Sequence, residues 1–129
     1  MNCQSLSIAL TGSGGSGVMT TGNMLLEAAA QAGWYGIMTR SVGPQIRGGE
    51  AAALIRVSNQ PVESHDDSFD LVLAIDPGSM GRFVAEIPLR PDSVIISDAD
   101  GGRRSSVLPD SPAQVINVPL KKLAKIVNG

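Results

Sequence analysis

The groups best suited to chemistry in this sequence are backbone amides rather than side chains. Thr11-Gly12-Ser13-Gly14-Gly15-Ser16-Gly17 directly follows an apolar run. Within it, Gly12, Gly14 and Gly17 fit the G-x-G-x-x-G spacing. Glycine permits a tight turn and close approach to a ligand, and free N–H groups at a following helix start attract an anion. Ser13 and Ser16 add hydroxyl donors. The same glycines would equally let a helix pack close to a sheet. A second segment, Ser41-Val42-Gly43-Pro44-Gln45-Ile46-Arg47-Gly48-Gly49-Glu50, precedes another apolar run. Gly43-Pro44 is turn chemistry. Arg47 places a permanently charged fork on a backbone with little side-chain cover, which suits bidentate contact with phosphate or carboxylate. The alternative is a tight loop with Arg47 in a local ion pair, for instance with Glu50.

The chemistry of the first segment is narrowed by what surrounds it. A dinucleotide site usually adds an acid at the end of the second strand to hold the ribose hydroxyls. Thr39-Arg40 occupy that region and offer none, which disfavours NAD. An arginine there tolerates an extra phosphate, as in NADP or coenzyme A. No Gly-Lys-Ser/Thr is present, so the loop is not a P-loop.

Other side chains offer less. Cys3 is the only cysteine, so an intrachain disulfide or a cysteine-held zinc or iron–sulfur cluster is excluded. His65 is the only histidine and sits in Glu63-Ser64-His65-Asp66-Asp67-Ser68, which reads as a surface loop rather than a catalytic site. Asp98 and Asp100 could hold a divalent ion but read better as the start of a turn with Gly101-Gly102. Arg103-Arg104 read as solvated charge. Asp76, at a strand's C-terminal end, is placed either for ligand contact or to start the next helix. Trp34 and Tyr35 are expected to pack at a helix–strand junction.

These residues need elements to hold them. Ser5 to Leu10 reads as a buried strand ending in the first glycine segment. Val18 to Ala32 has helical spacing through Val18, Leu25, Ala28, Ala29 and Ala32, with Gly33 as its stop. Tyr35 to Thr39 is a second strand, and the unit favours a parallel pair with a right-handed crossover. Strands are expected at Ala51 to Val57, Asp70 to Asp76, Ser93 to Ser97 and Gln114 to Val118. Ser79 caps a helix with Met80, Phe83, Val84 and Ile87 on one face, ended by Pro88 and Pro91. Asp98 to Pro112 is a long loop. Leu120 to Val127 is a helix with Leu120, Leu123, Ala124 and Val127 facing inward. The fold class is α/β: a mixed or mostly parallel sheet with flanking helices, Rossmann-like, in a single domain.

At 129 residues, 43% apolar and net charge −2, the chain is long enough for one real core. Its basic residues form no strip that could track nucleic acid. Lys121, Lys122 and Lys125 fit the wet face of the last helix. No apolar run approaches the roughly 20 residues of a membrane span, and no secretory signal is evident, so the expected compartment is the cytoplasm. The chain stops at Asn128-Gly129 just after a helix, with no closing strand, as a fragment of a longer chain would.

Taken together, Gly12-Ser13-Gly14-Gly15-Ser16-Gly17, Gly43-Pro44-Gln45-Ile46-Arg47-Gly48-Gly49-Glu50 and Ile55-Arg56-Val57-Ser58 resemble the gamma-type domain of 2-oxoacid:ferredoxin oxidoreductases. The wording is most like the N-terminal part of the fused alpha subunits, and the pattern extends over most of residues 1–129. The resemblance implies a hetero-oligomeric enzyme that oxidatively decarboxylates a 2-oxoacid with coenzyme A to an acyl-CoA, reducing ferredoxin. Thiamine diphosphate and iron–sulfur clusters would sit in other domains or subunits, and the isolated chain would be inactive. Carried over by position, Gly12, Ser13, Gly14, Gly15, Ser16 and Gly17 would form the phosphate-side loop. Arg47, Gly48 and Gly49 would face the ligand or the neighbouring thiamine-bearing domain. Position 16 is Ser where many relatives have Gln, and the chain is shorter than the usual gamma-type domain. The competing readings are a stand-alone NADP-like nucleotide module and a purely structural interaction domain.

Overall fold

The computed structural model describes residues 4–13, 17–41, 50–75, 87–98 and 114–118, with helical positions at Leu123 and Ile126. Its elements run β1 (Ser5–Ser13), α1 (Val18–Gln31), β2 (Tyr35–Ser41), β3 (Glu50–Ser58), β4 (Phe69–Ala74), β5 (Leu89–Asp98) and β6 (Gln114–Val118). The strands form one sheet in the order β2-β3-β1-β4-β5-β6. β1, β4, β5 and β6 pair in parallel, while β3 runs antiparallel to both β1 and β2. The mixed, mostly parallel α/β sheet is thus present.

One expectation fails in an informative way. β1 and β2 run in the same direction but are not neighbours, because β3 inserts between them. The reason is connection length. β2 turns back through residues 42–49 into β3, and a short return favours an antiparallel neighbour over a second crossover. β3 then fills the place beside β1 that a simple β-α-β unit would give to β2.

Period-two alternation divides the core between the two faces of the sheet. Ile8, Leu10, Ala53 and Ile55 lie beneath α1 with Val18, joined by Leu25, Leu26, Met38 and Val57. Ala9, Ala52, Val72, Ala74 and Ile95 pack on the other face with Phe69 and Ile87. Burying both faces explains why β1, β3 and β4 read as near-continuous apolar runs. Helix α1 ends as its sequence predicts. Gly33 takes φ +85°, its N–H donates to the Ala30 carbonyl (3.0 Å), and the Trp34 N–H reaches back to Ala29 (2.8 Å), the pattern of a Schellman stop.

Three further readings need correction. β5 begins at Leu89, so Pro91 lies inside a strand rather than ending a helix. It is tolerated because the β4–β5 register slips there: Phe69 pairs with Leu89 but Leu71 with Val94. Pro91 therefore falls in an irregularity where no ladder donor is required. Leu123 is helical but 46% exposed, not inward-facing, and Tyr35 is half exposed on an edge strand rather than packed at a junction. The expected helix after Ser79 and the loop beyond Asp98 lie outside the described residues, although Ile87 is buried. Among the described residues, no helix is long and apolar enough to cross a membrane.

Candidate functional site

The C-terminal edge of the parallel strands holds those residues singled out by sequence that the structure describes there: Gly12, Ser13, Gly17 and Asp98. β1 ends at Gly12 and Ser13, which pair with Ala51 and Glu50 at the start of β3. The first glycine segment leaves β1 at Ser13, and the second enters β3 at Glu50. The antiparallel ladder therefore anchors both segments on facing positions, although they are some thirty residues apart in sequence. β4 flanks the other side, where the Ile75 N–H donates to the Thr11 carbonyl at 2.9 Å. The chain steps from β3 on one side of β1 to β4 on the other. This edge is thus the point where strand order reverses, the usual ligand position in open α/β sheets.

The helix that follows has an unusual start. Gly17 is its N-cap in the left-handed conformation (φ 84°, ψ 20°), with no side-chain hydrogen bond capping the end. The first helical bond runs from the Thr21 N–H to the Gly17 carbonyl at 2.9 Å. The preceding amides therefore point out of the helix, and no acidic residue lies in the first turn to neutralise its positive end. Val18 is 1% exposed and fixes this start against the core. Such an end can accept an anion held by backbone donors. Asp98, at the end of β5 on this edge, is buried. Of the site residues expected from sequence, Gly12, Ser13 and Gly17 are placed here. Gly14, Gly15, Ser16, Arg47, Gly48 and Gly49 lie outside the described residues, as does Asp76.

Arg40 sits on β2 opposite Ala53, separated from β1 by β3. In a dinucleotide fold the ribose-binding residue ends the strand adjacent to β1. Here the equivalent strand is displaced by one more spacing, about 5 Å. The geometry weighs against the NAD(P)-type arrangement more directly than the missing acid does.

Two polar clusters were not legible in the sequence. At the opposite edge, Asp70 accepts the Ser7 N–H (2.8 Å) and pairs with the Arg90 guanidinium, which also contacts Ser68 and Asp92 (3.0 Å). These bonds hold the Arg90 proton more firmly and keep the Asp92 carboxyl below its usual range. The second cluster involves His65, which is not simply solvated. Its Nε2 lies 2.8 Å from Thr39 Oγ1, while Arg56 donates to the neighbouring Ser64 carbonyl at 3.0 Å. Burial, reinforced by the Arg56 charge, lowers the His65 pKa from its ordinary value.

The sequence pattern of the pyruvate ferredoxin/flavodoxin oxidoreductase family matches residues 7–129. The chain belongs to this family. The common gamma subunit of the pyruvate/ketoisovalerate oxidoreductases of Pyrococcus furiosus is 26% identical over 97 residues, covering 74% of this chain and 52% of that subunit. Ketoisovalerate oxidoreductase subunit VorA of Methanothermobacter marburgensis is 26% identical over 122 residues, 92% of this chain and 24% of the relative. The chain thus spans about half of one curated relative and a quarter of another. The fold is shared with 2-oxoglutarate:ferredoxin oxidoreductase from Magnetococcus marinus, solved with 2-oxoglutarate, coenzyme A and succinyl-CoA bound. The TM-score is 0.78 at 23% identity, covering 98% of this chain and 22% of that one. In this oxidoreductase family member, the inserted β3 sets Ser13, where the first glycine segment leaves β1, opposite Glu50, where the second enters β3.

Proposed function

We propose that this chain, as a single gamma-type domain, is a non-autonomous part of a 2-oxoacid:ferredoxin oxidoreductase, working with its other domains or subunits. Its paired glycine segments would hold the phosphates of coenzyme A beside the thiamine-bearing parts. The observation that carries the reading is the Ser13–Glu50 pairing, which sets both segments at one edge next to an open helix start. Gly12, Ser13, Gly14, Gly15, Ser16 and Gly17 supply backbone and hydroxyl donors from one side. Arg47, Gly48 and Gly49 supply charge and close approach from the other. Family membership and a fold-mate that holds coenzyme A support the same assignment.

The chemistry assigned to the assembly balances as follows. The 2-oxoacid loses carbon dioxide, its acyl carbon is oxidised by two electrons that pass to ferredoxin, and the acyl group bonds to the coenzyme A sulfur, whose thiol proton is released to solvent. Among the described residues there is no cluster of metal-binding side chains, and carbon–carbon cleavage is assigned to partner domains. This chain's part is to bind and orient the acyl acceptor. In the assembled oxidoreductase, Arg47→Ala should weaken the apparent affinity for coenzyme A about tenfold while leaving assembly intact, the loss expected for one charge-assisted contact. Unchanged affinity with loss of assembly would favour a purely structural role. Turnover by the chain alone would overturn the non-autonomous reading.

A further inference from the structure

Residues 59–68 join β3 to β4 and take a longer path than the step requires. β3 and β4 flank β1, so their ends lie about 10 Å apart, a gap that three or four extended residues can span. The chain instead leaves the bottom of β3 and turns outward. Its start is pinned by the Asn59 N–H to the Gln4 carbonyl (3.0 Å) and by the Gln4 N–H to Asn59 Oδ1 (2.9 Å). It then climbs over the second sheet face until His65 meets Thr39 of edge strand β2. Arg56 of β3 ties the same turn down through the Ser64 carbonyl. Among the described strands, β2 is hydrogen-bonded on one side only, to β3. α1 packs on its inner face, and this connection is what the described structure places across its outer face.

We propose that residues 59–68 are a strap over β2, closed by a His65–Thr39 clasp. Protonation of His65 opens the clasp and loosens the β2–β3 ladder that leads to the glycine edge. The geometry gives the sign. His65 Nδ1 is enclosed and makes no hydrogen bond, and Arg56 Nε is likewise enclosed without a partner. With no acceptor at Nδ1, we assign the neutral ring its Nε2–H tautomer, which leaves only a lone pair at Nδ1 and turns the proton toward Thr39. The imidazolium must bury an N–H with no acceptor and place a second positive charge near Arg56. The charge that acts on the ring is Arg56 of β3; Tyr35 shares its face of β2 four residues before Thr39, and Glu63, Asp66 and Asp67 are its neighbours along the strap. Glu63, Asp66 and Asp67 are exposed, and Asp66 already accepts the Asp67 N–H at 2.9 Å. Water screens them, whereas the Arg56 Nε is enclosed. The lowered pKa of His65 agrees. The open strap binds the proton more readily than the closed one. The clasp is therefore complete above the ordinary value of 6.5 and is lost as pH falls below it.

The strap stands on its own contacts, and only its bearing on coenzyme A rests on the function proposed above. Hydrogen exchange of residues 35–41 in the full-length protein, corrected for intrinsic rates, tests it between about pH 8 and about pH 5. Protection in the parent protein should fall about fivefold across that range, the loss of roughly one hydrogen bond. His65→Gln keeps a hydrogen-bonding side chain that does not titrate, and its protection should stay level. Thr39→Val should lower protection at both ends of the range. A level profile in the parent protein, or an equal fall in His65→Gln, overturns the strap. Coenzyme A affinity measured on the same samples separates the two claims. An affinity that falls with protection supports the coupling. One that stays constant while the strap titrates overturns the coupling and leaves the strap in place, whereas absence of coenzyme A binding at every pH with the strap still titrating counts against the glycine site alone.

Discussion

Asp70, at the start of buried strand β4, shows how a single carboxylate can serve the fold. Its carboxylate accepts the Ser7 N–H across the β1–β4 boundary and holds Arg90 of β5, so one side chain ties three strands at their N-terminal edge. Ser93 closes the same corner, accepting the Arg90 N–H (2.9 Å) and donating to the Phe69 carbonyl (2.6 Å). Removing the carboxylate leaves a part-buried amide without its acceptor. Asp70→Ala should destabilise the protein by roughly 1–3 kcal/mol in denaturant unfolding. Asp92 is exposed and pairs with the Arg90 Nε, so Asp92→Ala should change stability little. Equal losses from the two would show that the corner is held by long-range charge rather than by the amide bond. Sequence could show that β4 begins at an acid. It could not show that Ser7 and Arg90 meet there, since neither spacing nor residue type encodes a contact across strands 63 and 20 residues away.

The elements were more legible, because their signals are local. The apolar period set α1 and every strand, and Gly33 marked the helix stop through its positive φ. What stayed hidden was how closely α1 approaches the sheet. Gly22 lies mid-helix, where glycine is unfavourable, and reads as a weakness in the pattern. A Cβ there would lie 2.7 Å from the Met38 sulfur, 3.3 Å from the Ala53 Cβ and 3.5 Å from Ile55 Cδ1. Ala53, buried on the same face, belongs to the same requirement for close layers. Met38 is flexible enough to swing aside, and alanine gains about 1 kcal/mol of helix propensity. Gly22→Ala should therefore remain within about 1 kcal/mol of the parent protein. Gly22→Leu cannot be relieved in this way and should lose roughly 1–3 kcal/mol by overpacking. Chemical denaturation of the two variants decides the point. A leucine variant as stable as the parent would mean that α1 floats on the sheet.

At the scale of the whole molecule, the sequence supplied two glycine segments, and the topology supplies the reason they belong together. Read locally, strand–loop–helix–strand suggests that β2 lies beside β1, with any ribose contact at Arg40. Inserting β3 antiparallel moves Arg40 outward and puts Glu50 opposite Ser13 instead. That exchange depends on which strand pairs with which, a property of the assembled sheet that no window of sequence contains. It changes the expected footprint of a ligand. A dinucleotide bound in the ordinary manner would cover residues 12–17 and the end of β2. An anion shared between the glycine segments would cover residues 12–17 together with 42–50. Hydrogen exchange of the assembled oxidoreductase with and without coenzyme A distinguishes the two. If the proposed site is correct, protection should rise in both glycine segments at the same ligand concentration, because one occupant would satisfy amides on both sides of the ladder. Residues 89–93, at the far end of the sheet, should be unaffected. Protection confined to the first segment would leave the second to partner contact alone. The Ser13–Glu50 register would then serve assembly rather than ligand binding.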